Sequence, residues 1–176
     1  MRAVLGILLL IPPGCASRES AALDVFPSGA IASPWRPERP AWSGSLDEAI
    51  GALEQPELWR TFAPRRVYLA PYVHEKRADR RLKARIFEFD EAAAAERAFR
   101  RVAPSDARPL RSGDEGCWTS VGVCARWGAR IVEVFGPDSS WDSQVQSAFL
   151  LGLIERRLNE QRVGANASEP AREPVR

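Results

Sequence analysis

Val67-Tyr68-Leu69-Ala70-Pro71-Tyr72-Val73-His74 and Leu82-Lys83-Ala84-Arg85-Ile86-Phe87-Glu88-Phe89 are two apolar runs separated by the charged residues 75–81. Rich in β-branched and aromatic side chains, they predict two antiparallel strands joined by a hairpin whose tip is the charged segment. Pro71 has no N–H to give to a ladder, so the first strand is expected at a sheet edge or with a bulge at that point. In the second run Leu82, Ala84 and Ile86 share one face, while Arg85, Phe87 and Phe89 share the other, so both faces carry apolar groups.

Working outward, Asp90 is a good N-cap for the alanine-rich residues 91–102, where Ala92, Ala95, Phe99 and Val102 form an apolar stripe and Pro104 stops the helix. Residues 116–135 read as a meander of two short strands and a longer one, divided near Gly122 and Gly128. A last helix follows Asp138-Ser139-Ser140 and runs over 141–158, with Trp141, Val145, Ala148, Phe149 and Leu151 expected to pack across the sheet. Upstream, Ser45-Leu46-Asp47-Glu48 has the capping-box form. Leu46, Ala49, Ile50 and Leu53 then share a face before Pro56, and Leu58, Trp59 and Phe62 follow. The expectation is an α+β domain in the order α-ββ-α-βββ-α, an antiparallel sheet of about five strands with helices mainly on one face.

The flanks divide the chain further. Met1 and Arg2 precede an apolar run over 3–11, and Pro12-Pro13-Gly14 breaks it ahead of Cys15. Crossing a bilayer takes about 20 apolar residues, so the run reads as a removable leader. Gly14 and Cys15 resemble the bacterial lipoprotein processing signal, although Pro12 and Pro13 stand where a leucine and a small residue are usual. The resemblance implies lipidation of Cys15; simple secretion with cleavage near Ala16 is the alternative. Residues 16–44 carry Pro27, Pro34, Pro37 and Pro40 and read as a proline-rich tether, along which Val25, Phe26, Trp35 and Trp42 can touch the domain. The domain is placed at 45–160, and 161–176 reads as a disordered tail.

With Cys15 lipidated, Cys117 and Cys124 remain as an even pair, which in an oxidising compartment predicts a disulfide. A bridge needs Cα atoms within about 7 Å, whereas an extended strand would separate these residues by about 23 Å, so the chain must turn back between them. Two independently buried free thiols are the other reading.

Trp59, Arg65-Arg66-Val67, Tyr72, Arg85-Ile86-Phe87-Glu88-Phe89-Asp90, the alanines from Ala92 to Phe99, and Arg126-Trp127-Gly128-Ala129-Arg130-Ile131-Val132-Glu133-Val134 carry a resemblance. Over 58–135 the chain resembles an uncharacterised family of bacterial extracytoplasmic, lipoprotein-like proteins. The resemblance implies an exported α+β domain and no particular activity.

A formal charge of +2 is too small for a nucleic-acid binder, so no nucleic-acid partner is expected. The single histidine, His74, reads as a surface residue beside Glu75, and no cofactor motif, zinc spacing or phosphate-cradling loop is present. Glu88 and Glu133 lie in apolar strands, where they could form an acid pair, point to solvent, or meet an arginine from a neighbouring strand. Lys76, Arg77, Arg80 and Arg81 dominate the hairpin tip and suggest contact with anionic headgroups, or simply solvated charge. The functional expectation is a non-catalytic binding or scaffolding module of the cell envelope, held to the membrane by lipid and meeting an envelope protein or headgroups. The alternative is a small extracytoplasmic enzyme using Glu88 and Glu133 or a redox-active Cys117/Cys124 pair.

Overall fold

The computed structural model describes residues 23–167. The leader and Cys15, and the tail beyond residue 167, lie outside the described residues. Strands β1 (Trp35–Pro37), β2 (Trp42–Gly44), β3 (Arg66–His74), β4 (Arg77–Glu88), β5 (Glu115–Trp118), β6 (Gly122–Trp127) and β7 (Arg130–Phe135) build one antiparallel sheet. Its order is β1-β3-β4-β7-β6-β5, with β2 also on β3. Helices α1 (Leu46–Ala49), α2 (Pro56–Phe62), α3 (Ala92–Val102) and α4 (Trp141–Ala167) complete the described fold. The α+β class and the antiparallel sheet are as the sequence predicts. Among the described residues the strands number seven, because the segment expected to be a tether contributes two.

Those two strands explain Pro71. β2 pairs with residues 67–69 of β3 and β1 with residues 72–74, so Ala70 and Pro71 fall between the two registers. The proline sits where no ladder partner asks for an N–H, and its carbonyl accepts from Glu38 N at 2.9 Å. Trp35 is 1% exposed, and its indole Nε1 donates to Gln146 Oε1 at 3.2 Å. Val25, Phe26 and Ala32 are buried too, and the Tyr72 hydroxyl donates to the Pro27 carbonyl. From Leu23 onward the proline-rich stretch is therefore part of the fold, since its large apolar side chains cover the sheet edge.

The hairpin also turns more tightly than expected. Only Glu75 and Lys76 separate β3 from β4, and Arg77–Arg81 belong to the strand, with a register irregularity between Val73 and His74.

Of the described helices, α1, α2 and α3 lie on one face of the sheet, as the sequence predicts, and α4 covers the other. Leu82, Ala84, Ile86, Val132 and Val134 pack with Leu150, Leu151, Ile154 and Leu158 of α4. Val67, Phe87, Phe89 and Ile131 pack on the other side with Trp59 of α2 and Ala95, Ala98 and Phe99 of α3. Alternation along β4 causes this, because apolar groups on successive residues leave both faces in need of cover. The Trp59 ring stacks on Phe87 at 3.5 Å and 10°, an arrangement that adds about 1 kcal/mol to the area buried.

The local signal at the N-terminus holds for α1 but not for α3. Ser45 and Glu48 form the expected capping box: Glu48 N donates to Ser45 Oγ, and Ser45 N donates to Glu48 Oε2 at 2.7 Å. At α3 the cap is Glu91 in place of Asp90, with no side-chain capping bond. In α4 the buried stripe is Ser143, Ser147, Leu150, Leu151, Ile154 and Leu158, while Trp141, Val145 and Phe149 face outward. The small serines let the helix approach the sheet closely, and Ser147 Oγ donates to the Ser143 carbonyl at 2.9 Å. The helix continues to Ala167, past the expected end near 158. No helix among the described residues is long and apolar enough to cross a membrane.

Candidate functional site

The strand registers place one row of chemistry across the sheet. Leu69 of β3 stands opposite Arg85 of β4, Arg85 opposite Glu133 of β7, Glu133 opposite Cys124 of β6, and Cys124 opposite Cys117 of β5. Directly opposed residues share a face, so all five point to the side covered by α2 and α3. Trp59 of α2 and the last turn of α3, with Arg101 and Val102, leave a gap above Arg85 and Glu133. The resulting cleft of about 340 Å³ is closed by Glu54 and Gln55 on one side and by Thr119, Ser120 and Val121 of the β5–β6 turn on another. Phe135 and Cys124 complete its floor.

Arg85 is the unusual element, an arginine only 3% exposed. It donates to the Ala52 carbonyl at 3.2 Å and lies 4.2 Å from the centre of the Phe135 ring. Its acidic neighbours are Glu54 at 3.6 Å and Glu133 at 3.8 Å, distances that give Coulombic attraction without a hydrogen bond. Burial pushes the Glu133 carboxyl up to about 7, with Arg85 pulling the other way and Glu54 adding to the rise. At Arg85 burial also acts against the charge, which Glu133 and then Glu54 support. Gln55, at the lip, holds a left-handed φ of 59°, an uncommon conformation for a non-glycine residue.

The residues singled out from sequence fall in several places. Glu133 is in the cleft, but Glu88 is on the opposite face, so the two carboxylates form no acid pair. Glu88 accepts from Arg65 at 2.7 Å and from the Tyr68 hydroxyl at 2.5 Å, with Arg130 at 3.7 Å. Burial and the Glu88 hydrogen bond push the Tyr68 phenol up to about 12. Each carboxylate thus meets arginine across the ladder.

Cys117 and Cys124 are directly opposed, as a chain reversal requires, yet both are free thiols and the expected disulfide is not made. Burial pushes Cys117 up to about 11 and Cys124 further, with the Glu133 charge adding to both. A thiol held protonated lacks the thiolate that exchange or redox catalysis uses, the reverse of an activated cysteine.

Lys76 is exposed in the turn, and its backbone N donates to His74 Nδ1 at 3.2 Å. His74 meets Trp35 edge-on at 5.3 Å. Arg77 pairs with Asp79 at 3.5 Å, Arg80 with Asp142 of α4, and Arg81 with Glu38 at 3.3 Å. The basic appearance of this stretch in sequence is offset by Asp79 within it and by Asp142 and Glu38, which the fold brings from elsewhere. No group of three or more histidine, cysteine or acidic residues suited to a metal ion occurs among the described residues.

Sequence reasoning placed Arg85 on the strand face of Phe87 and Phe89 but did not single it out, and so missed its place at the centre of the site. The signal that points to it is its alternation with Phe87 and Phe89, which puts a cation on an apolar face. Glu54, Gln55 and Ser120 carry no comparable local signal, because only the pairing of distant strands brings them together.

No family model and no curated protein matches the chain. Among solved structures, it is similar to the extracellular domain of PknH from Mycobacterium tuberculosis, with 12% identity and a TM-score of 0.42 over 82% of this chain and 91% of that one.

Proposed function

We propose that this protein is a non-catalytic binding module of the cell envelope, and that its binding site is the cleft above Arg85. The observation that carries the reading is a buried guanidinium on the floor of an open cleft, without a hydrogen-bonded acid among the described residues. Burying a charge is costly unless it is fully paired, so its retention there points to a partner supplied from outside. Catalysis gains less support. The carboxylates face opposite sides, and the thiols are held protonated.

The envelope address rests on the leader over 1–15 and on Cys15, whose lipidation would tether the domain to a membrane. The hairpin cations are poor candidates for holding it there, because Arg77, Arg80 and Arg81 already have acidic partners. An NMR fragment screen on the folded chain tests the binding reading. Fragments should shift the Trp59 indole and Ser120 amide signals, and Ser120→Trp, which narrows the mouth at an exposed turn, should abolish those shifts. Fragments that bind elsewhere with the cleft silent would refute it. The mass of the mature N-terminus tests the address independently, with acylated Cys15 expected and an intact Met1 contradicting it.

A further inference from the structure

We infer that the cleft takes a small amphipathic monocarboxylate, anchored by Arg85 and enclosed by Leu58, Trp59 and Phe135. The inference rests on the binding-module reading and adds the chemical class of the ligand. An arginine offers five N–H donors in a planar fork that fits a carboxylate in two parallel bonds. Among the described residues, the Arg85 guanidinium makes one hydrogen bond, to the Ala52 carbonyl, and its acids stand beyond hydrogen-bond reach. The fork is therefore held in position with donor capacity left over. Its charge is permanent at any physiological pH, so an anion is the complementary ligand.

Two features narrow the class. Glu54 and Glu133 flank the guanidinium, which disfavours a dianion such as phosphate and leaves room for a single negative charge. Leu58, Trp59, Val121 and Phe135 line the rest, so the ligand must carry an apolar body as well as a carboxylate. A volume of about 340 Å³ suits a molecule the size of an arylalkyl acid.

The same geometry makes binding depend on pH. The groups facing Glu133 are Arg85 from β4, Cys124 from β6 with Cys117 beyond it, Glu54 from the loop before α2, and Arg101 at the end of α3. Protonated, Glu133 leaves Arg85 to the ligand and can itself donate a hydrogen bond; ionised, it competes for the guanidinium and repels the carboxylate.

The test is an NMR titration of the folded chain with 3-phenylpropionate, its uncharged isostere 3-phenylpropanamide, and inorganic phosphate. The acid should shift the Trp59 indole and Ser120 amide signals and bind about tenfold or more tightly than the amide. It should bind about tenfold more tightly near pH 6 than near pH 8, and Glu133→Gln should remove that dependence. Arg85→Gln should abolish the preference for acid over amide. If that variant fails to fold, Arg101→Glu on the exposed rim, which should weaken the acid and leave the amide unchanged, decides in its place. Equal binding of acid and amide, or phosphate binding in preference to the acid, overturns the ligand class while leaving the cleft as a binding site. Silence of the cleft toward these probes and toward the fragment screen overturns both readings.

Discussion

Replacing Glu133 with glutamine removes a carboxyl whose proton is held unusually tightly, and the effect on stability has a sign that can be worked out in advance. In the folded chain burial raises this group from the ordinary 4.5 to about 7, even though Arg85 stands 3.8 Å away. Because the folded state keeps the proton to higher pH than the unfolded chain, the contribution is fully present below pH 4.5 and is lost as pH rises through about 7. At 1.36 kcal/mol per pH unit, the interval amounts to about 3 kcal/mol. Urea denaturation from about pH 4.5 to about pH 8 measures it, with wild type expected to lose about 3 kcal/mol more than Glu133→Gln over that range. Glu48 and Asp138, both lowered by hydrogen bonds from serine, titrate with the opposite sign but are present in both proteins and cancel. Parallel pH profiles for the two proteins would refute the claim that Glu133 is buried beside an incompletely satisfying partner.

Three further outcomes follow from named contacts. In the native state near pH 7.5, Cys117 and Cys124 should resist Ellman's reagent, and both should react once the chain is unfolded in guanidinium; fast native labelling would contradict their burial and raised pKa. Gly122→Ala should destabilise by about 1–3 kcal/mol in chemical denaturation, since a Cβ there would lie 2.1 Å from the Val134 carbonyl oxygen, and an unchanged midpoint would show that the ladder can move aside. Ala63→Gly should stabilise by about 0.5 kcal/mol, because Ala63 ends α2 at a left-handed φ of 45°; a lower melting temperature would contradict the strain at that cap.

Much of the scaffold was legible because its signals are local. The apolar runs of β3 and β4, the Ser45–Glu48 box and the alanine-rich α3 each carry their own instructions in a few adjacent residues. What escaped depends on partners distant in sequence. Trp35 and Trp42 sit among prolines that read as a linker, and only a β3 edge interrupted at Pro71 turns those residues into strands. The outward stripe of α4 misled for a related reason: Trp141, Val145 and Phe149 are more hydrophobic than Ser143 and Ser147, yet the serines face the sheet because their size permits close approach. Hydrophobicity favours burial, but packing selects the face.

The candidate site shows the same division. Alternation predicts that Arg85 shares a face with Phe87 and Phe89, and this alone places a cation against the core. That Glu133 and Cys124 extend the row, and that Gln55 and Ser120 frame its mouth, follows from pairings across β4, β7 and β6 that no stretch of sequence contains.

The most direct trial of the account is a crystal structure of the protein soaked with 3-phenylpropionate near pH 6. The carboxylate should appear in the cleft within about 3 Å of the Arg85 guanidinium, with the phenyl ring against Trp59 and Phe135. A cleft that stays empty while the acid occupies another surface, or an acid bound ring-first with its carboxylate turned to solvent, would contradict it.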